Sequence, residues 1–270
     1  MSRIAVVGYA VVAYATFLLS SAWAMVFLAG RGDGPATSST WVALLVDTLL
    51  LLAFAAQHTV MARAGFKRRL TRVIPAAAER STYVLAAGLV LLAIFAFWQP
   101  VPAVLWSVGR PWSPIVWALY ACGWIVVVAS TFMVDHTDFL GLKQAHAHLR
   151  GRAHHPPTFK ERFLYGWVRH PMMLGLLITF WATPHLTAGH LFFAVASTGY
   201  IAVGIRFEER GLRTQLGAEY DDYTRRVPAL IPVFFSGDRR RNAPARTPAA
   251  AVPPGPRPLR PGRSEVPPGY

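Results

Sequence analysis

Pro171-Met172-Met173-Leu174-Gly175-Leu176-Leu177-Ile178-Thr179-Phe180-Trp181-Ala182-Thr183-Pro184, followed after Thr187-Ala188-Gly189 by a second apolar run over 188–205, is the stretch on which the topology of this chain turns. Residues 172–183 are apolar but too few to cross a hydrocarbon layer roughly 30 Å thick, which takes about 20 helical residues. Pro184 stops the helix. Read as one span, 171–206 would send the very basic carboxyl end to the outside. Read as a helical hairpin that dips in and returns, it keeps Arg169, Arg206, Glu208 and Glu209 on one side. The hairpin is the reading adopted, because its ends then meet and assemble a site from residues distant in sequence.

Four full spans precede it, at 4–29, 41–62, 81–99 and 112–134. Ile4–Gly30 carries no Lys, Arg, Asp or Glu, and is long enough to cross the hydrocarbon layer. A cleavable signal peptide, suggested by Arg3 and by Ser21-Ala22-Trp23-Ala24, has a shorter apolar core and is not followed by further spans. The expected fold is therefore an all-α integral membrane protein. It is a bundle of four full spans with a C-terminal helical hairpin and a cytoplasmic cofactor-binding segment, forming a single domain over 1–235. Beyond about Phe235 the chain turns Pro-, Ala- and Arg-rich without apolar periodicity, so 236–270 is expected to be a disordered tail that touches anionic lipid.

A net charge of +14 suggests nucleic-acid binding until its location is considered. The basic residues sit after the second span (Arg63, Lys67, Arg68, Arg69, Arg72, Arg80) and after the fourth (Lys143, Arg150, Arg152, Lys160, Arg162, Arg169). The alternate loops, 30–40 and 100–111, hold one basic residue each. This is the positive-inside pattern of a membrane protein. It puts the amino terminus, both basic loops and the tail in the cytoplasm, with the bilayer and not nucleic acid as partner. The single cysteine, Cys122, excludes an internal disulfide and a multi-cysteine zinc site and reads as a small packing residue. His146, His148, His154 and His155 lie in a basic, Pro-containing loop without a metal-binding repeat, so no metal is expected.

The hairpin's two ends carry the chemistry. Val168-Arg169-His170-Pro171-Met172-Met173-Leu174-Gly175 stands at one, and Glu208-Glu209 with Leu216-Gly217-Ala218-Glu219-Tyr220-Asp221-Asp222-Tyr223 at the other. Arg169 can grip a carboxylate with two parallel hydrogen bonds and keeps its charge. Glu208, Glu209, Tyr220 and Tyr223 offer acidic and aromatic neighbours to a cation. Pro171 starts the hairpin helix where its missing N–H costs nothing, and the free N–H groups of that turn favour an anionic group. Gly175 admits a ligand or another helix at close range. Together they suit a zwitterionic, cationic cofactor at a membrane surface.

These motifs, with Val227-Pro228-Ala229-Leu230-Ile231-Pro232, resemble the membrane methyltransferases related to isoprenylcysteine carboxyl methyltransferase, which use S-adenosylmethionine. Gln57-His58-Thr59-Val60-Met61-Ala62-Arg63, Phe66-Lys67 and Glu79-Arg80-Ser81-Thr82-Tyr83-Val84 narrow the choice. With Trp98-Gln99-Pro100-Val101-Pro102 and Asp135-His136-Thr137-Asp138-Phe139-Leu140-Gly141-Leu142-Lys143-Gln144, they resemble the bacterial methanethiol S-methyltransferases of the nurim family. The resemblance extends over nearly all of residues 1–235. Met173 stands where relatives commonly have Tyr, Thr59 where Ser is common, Thr137 where an aromatic is common and Lys143 where Arg is common. The resemblance implies methylation of a small volatile thiol, methanethiol, to dimethyl sulfide by in-line methyl transfer.

The thiolate is the nucleophile of such a reaction. A nearby histidine could accept the thiol proton, oriented by a carboxylate. His136, which ends the fourth span with Asp135 or Asp138 beside it, is the first candidate and His58 the reserve. Asp47, eleven residues before His58, returns to nearly the same helix face near the outer end of the span, where a structural hydrogen bond is expected. Three other readings compete. They are a methyltransferase for a lipid-type acceptor (a prenylated carboxyl group or a phospholipid head), a non-enzymatic nurim-like membrane protein, and haem binding by the intramembrane histidines. The orientation is tested by labelling single cysteines introduced at Arg150 and Arg240. Both are expected to react from the cytoplasmic side, and access to either only from outside overturns it.

Overall fold

The computed structural model describes residues 1–154 and 163–231. The expected tail, His155 and Pro232 lie outside the described residues. Helices dominate. They are α1 (Arg3–Val26, continued by a π turn over Phe27–Arg31), α2 (Thr40–Ala62), α3 (Ala64–Leu70), α4 (Glu79–Phe97), α5 (Ser113–Val134), α6 (His136–Phe139), α7 (Leu142–Leu149), α8 (Pro171–Trp181), α9 (Ala188–Leu216) and α10 (Ala218–Arg226). Among the described residues, five stretches, Arg3–Arg31, Thr40–Ala62, Ala76–Phe97, Ser113–Val134 and Ala188–Leu216, are long and apolar enough to cross a membrane. The first four agree within a few residues with the expected spans. The fifth does not stop at 205 but runs on to Leu216, so its polar last turns carry Glu208 and Glu209. α8 has 11 residues.

The outward faces of these helices are apolar. Leu49 and Leu52 on α2 and Ile125 and Phe132 on α5 are each more than half exposed, as suits helices solvated by lipid chains. Inside, α1 packs on α4, and α5 on α8. The α5–α8 seam is a close approach of two backbones. A Cβ on Gly123 would lie 2.9 Å from the Gly175 carbonyl oxygen, and one on Gly175 would lie 2.7 Å from the Gly123 oxygen and 2.9 Å from the Val127 nitrogen. Gly175 thus serves helix contact, the second of its two expected uses. Met173 packs against the main apolar cluster with Leu176 and Leu177.

The expectation of a purely helical chain needs one correction. Val104–Ser107 (β1) and His185–Thr187 (β2) form a two-stranded antiparallel ribbon that pairs Val104 with Thr187 and Ser107 with His185. The reason is backbone accounting. Pro184 ends α8 before the turn into α9, and the amides and carbonyls freed there need partners. Loop 100–111 supplies them, with Val108 N donating to Pro184 O and Ala188 N to Ala103 O. The hairpin turn therefore meets loops 30–40 and 100–111, while both its ends lie at the opposite end of the bundle. Near the ribbon, Asp47 is fully buried and accepts from the Gln99 backbone N–H at 2.9 Å, joining α2 to the end of α4.

Because atoms of the opposing backbone block a Cβ at Gly175, Gly175→Ala is expected to destabilise the protein by about 1–3 kcal/mol, as overpacking does. Gly199→Ala on α9, where nothing lies within 4 Å, is expected to be neutral or slightly stabilising. Thermal unfolding in detergent checks the pair.

Candidate active site

Arg169 and His170 enter the site from the segment just before α8, where Pro171 opens the helix. Their own amides donate to the carbonyls of Pro228 and Ala229, which fixes the segment after α10 against them. The Arg169 guanidinium donates to Glu209 Oε1 from Nε (2.9 Å) and Nη2 (2.6 Å), and from Nη1 to the carbonyls of Val227 (2.5 Å) and Thr224 (3.3 Å). His170, buried, adds Nε2 to the same Glu209 oxygen at 3.2 Å. Its Nδ1 lies 3.6 Å from Glu208 Oε2. The two acidic residues differ sharply. The Glu209 side chain is 13% exposed and locked between Arg169 and His170, whereas that of Glu208 is 51% exposed.

Tyr220 and Tyr223 are buried on α10 and pack with Leu212, Leu216 and Val227. The Tyr223 hydroxyl donates to the Tyr165 carbonyl at 2.7 Å. Burial raises the Tyr220 phenol above its ordinary range, with the Glu209 carboxylate adding to it. Tyr165, which the sequence reading missed, is pushed up to about 12 by burial, with Glu208 adding to it. These rings seat α10 against the end of α9.

The first candidate histidine, His136, begins α6. Asp135 precedes it in the left-handed region (φ 90°), which breaks the chain sharply after α5, and Asp caps α6 by accepting from Asp138 N at 3.2 Å. His136 Nε2 meets the Tyr14 hydroxyl at 3.2 Å and Nδ1 the Thr131 hydroxyl at 2.8 Å, with Phe132 stacked on the ring at 4.5 Å. The orienting partners are thus hydroxyls, which corrects the expectation of a carboxylate. Asp135 is drawn instead to Lys143, whose ammonium holds its carboxyl below the usual range, and Asp138 pairs with His154. Tyr14 and Thr131 lie inside spans whose motifs gave no signal.

The α5–α8 seam relates His136 to Arg169. Gly175 opposes Val127, and Gly123 opposes Thr179. The same antiparallel register carries Pro171 to the level of Thr131, which holds His136. The reserve, His58, stacks on Phe54 (5.2 Å), with the Tyr83 hydroxyl 2.7 Å from Nε2 and the Tyr200 ring 6.3 Å away on α9. Arg80 covers the Tyr83 ring (5.2 Å) and donates from Nε to the Phe139 carbonyl at 2.6 Å. Arg80 thus links Tyr83, the partner of His58, to Phe139, which ends the short helix that His136 begins. Tyr83 lies within a motif quoted above, whereas Tyr200 carried no sequence signal.

Fold and site define a polytopic helical membrane protein whose buried Arg-His-Glu cluster closes one end of the bundle. The chain matches the NnrU protein family over residues 46–206, and it belongs to that family. It is 43% identical over 252 residues to methanethiol S-methyltransferase 2 of Bradyrhizobium diazoefficiens, covering 92% of this chain and 96% of that one. It is 43% identical over 238 residues to the methanethiol S-methyltransferase of Mycobacterium tuberculosis, covering 86% and 98%. Nurim of Xenopus laevis is 30% identical over 211 residues, covering 73% and 72%. No solved structure matches the chain.

Removing Glu209 leaves Arg169, whose side chain is 11% exposed, without its counter-charge, so Glu209→Ala is expected to cost about 3 kcal/mol. Glu208→Ala, at a half-exposed side chain, is expected to cost under about 0.5 kcal/mol. Thermal unfolding of the two variants separates them, and equal losses would refute the division of roles.

Proposed function

We propose that this protein transfers a methyl group from S-adenosylmethionine to methanethiol, giving dimethyl sulfide. The observation that carries the reading is the identity with methanethiol S-methyltransferases over nearly the whole of both chains. We read the bundle as four full spans and the α8–α9 hairpin, with the amino terminus, the Arg169–Glu209 end and the tail in the cytoplasm, as the basic loops require.

S-adenosylmethionine supplies, when bound, a methyl group on a positively charged sulfur, next to an ammonium and a carboxylate. The donor set present fits such a molecule in one particular way. Arg169, with its fork turned to Glu209 and two carbonyls, holds the cofactor segment together. Glu208, beside buried His170 and the Tyr165 ring, is the carboxylate left to meet a cation. The free N–H groups of the first turn of α8, after Pro171, favour the carboxylate. His136 takes the thiol proton, held in place by Tyr14 and Thr131, with Asp135 setting its position through the helix break and His58 in reserve. The thiolate sulfur forms the new carbon–sulfur bond as the sulfonium bond breaks. Alignment and exclusion of water supply most of the acceleration.

One observation favours a second reading, a nurim-like protein without catalysis. The chain is also 30% identical over 211 residues to nurim of Xenopus laevis. Headspace gas chromatography on membranes expressing the protein decides between them. Dimethyl sulfide is expected only when methanethiol and S-adenosylmethionine are both added, and to fall at least about 100-fold in Arg169→Ala, as loss of a positioning group would cause. Folded protein that binds the cofactor without forming dimethyl sulfide would point to a lipid-type acceptor. Loss of cofactor binding as well would leave the second reading.

A further inference from the structure

Arg80, half-buried at the start of α4, is a cation without a carboxylate partner among the described residues. The two acidic groups nearest to it in charge are engaged elsewhere, Glu79 with Lys67 at 3.5 Å and Asp138 with His154. Its guanidinium lies instead between two rings, 5.2 Å from the centroid of Tyr83 and 4.8 Å from that of Phe139. From that position Nε donates to the Phe139 carbonyl at 2.6 Å. A planar guanidinium can stack on ring faces and donate in its own plane at once, and an ammonium cannot. The fork therefore holds one backbone carbonyl in a fixed direction.

That carbonyl closes α6, a helix of 4 residues that begins at His136. So short a helix has no stability of its own and depends on what it is tied to. The chain enters it through Asp135 at φ 90° and leaves it through Gly141 at φ 92°. Gly141 rests directly on α4, where a Cβ would stand 2.6 Å from Ser81 Oγ and 2.9 Å from the Ser81 nitrogen. Arg80 and Ser81, adjacent on α4, thus grip the far end of α6. A single turn carries that grip back to His136, with Phe139 N donating to Asp135 O at 2.8 Å and Leu140 N to His136 O at 3.2 Å. The Thr131 hydroxyl gives its hydrogen to the Val128 carbonyl and accepts from His136 Nδ1, which leaves the lone pair on Nε2. The place of that lone pair is set by α5 on one side and by Arg80 on the other.

We propose that Arg80 is a positioning residue for the methyl transfer, clamping α6 to α4 through the Phe139 carbonyl and so fixing His136 Nε2 where it takes the thiol proton. The inference rests on the reading of the protein as a thiol methyltransferase with His136 as the base. Arg80 touches neither substrate nor cofactor in this role and acts only through α6. The two ring faces offset the cost of leaving its charge without a carboxylate.

The test uses the full chain in nanodiscs, as wild type, Arg80→Ala, Arg80→Lys and Gly141→Ala, with dimethyl sulfide formation followed across pH. Arg80→Ala is expected to lower kcat about 100-fold near neutral pH, the scale of a displaced catalytic group, with KM for methanethiol and affinity for S-adenosylmethionine unchanged. The loss is expected to narrow at least about tenfold between about pH 7 and pH 9, because a thiol that ionises in solution needs no base. A residue that only stabilised the fold would lower the thermal transition and leave the pH profile as it is. Arg80→Lys keeps the charge without the planar fork and is expected to retain less than about a tenth of the wild-type kcat. Hydrogen exchange over 136–141 is expected to quicken in Arg80→Ala, as a released helix would show. Gly141→Ala, which pushes α6 off Ser81, is expected to give the same kinetic signature, and it decides the matter where the Arg80 variants do not fold. Folded variants with wild-type kcat, pH profile and exchange overturn the inference while the enzyme reading stands. Full activity in Arg80→Lys would mean that charge alone matters, and weakened cofactor binding in Arg80→Ala would make Arg80 a cofactor ligand, so either result overturns it as well. Wild-type protein that forms no dimethyl sulfide sinks the enzyme reading and the inference with it.

Discussion

In hydrocarbon an unpaired backbone N–H or C=O has no water to turn to, and each costs several kcal/mol. The architecture of this chain follows from that constraint. Where the sequence permits a long helix, each amide is satisfied locally. Where Pro184 forbids one, loop 100–111 folds in as a strand and completes the bonding of the turn. After α10, where no helix continues, the carbonyls of Thr224, Val227, Pro228 and Ala229 are taken up by the side chain of Arg169 and by the amides of Arg169 and His170. The ribbon at one end and the arginine at the other are two solutions to one problem.

Arg169 is accordingly more than a charge at a surface. Its planar fork bonds a carboxylate on α9 and two carbonyls at the end of α10, work that the point charge of a lysine could not reproduce. It thus joins the start of the hairpin, its return and the chain that follows. Glu209 neutralises it within the protein, and Glu208, one residue earlier, is turned toward solvent. Adjacent carboxylates on one helix point about 100° apart, so one can complete the scaffold while its neighbour remains for a ligand.

The histidines follow a related pattern. His136 and His58 are held by hydroxyls of tyrosine and threonine and by aromatic stacking, not by carboxylates. The Thr131 hydroxyl gives its hydrogen to the Val128 carbonyl, so it accepts from His136 Nδ1, and Nε2 faces the Tyr14 hydroxyl. The carboxylates that the sequence set beside His136 are occupied elsewhere, Asp135 in capping α6 and binding Lys143 and Asp138 in pairing with His154.

Much of the architecture could be read from the chain alone, because apolar runs of span length and the placement of arginine are local properties. The first four spans and the shortness of α8 needed only counting. The grouping of Arg169, His170 and Glu209 was legible because a hairpin that returns must bring its ends together. Three features were not. The ribbon depends on a loop some eighty residues before the turn it completes. The hydroxyl partners of His136 come from α1 and α5, where Tyr14 and Thr131 look like any polar residue in a span. The burial of Asp33 against Thr187 and His190 depends on a backbone turn at Gly30. The sequence by itself determined which segments enter the membrane and which residues carry charge to its surface, since both follow from the transfer energies of consecutive residues. Only the tertiary structure decided which carboxylate is bound into the scaffold and which is left half-exposed, since that turns on the direction of single side chains across packed helices.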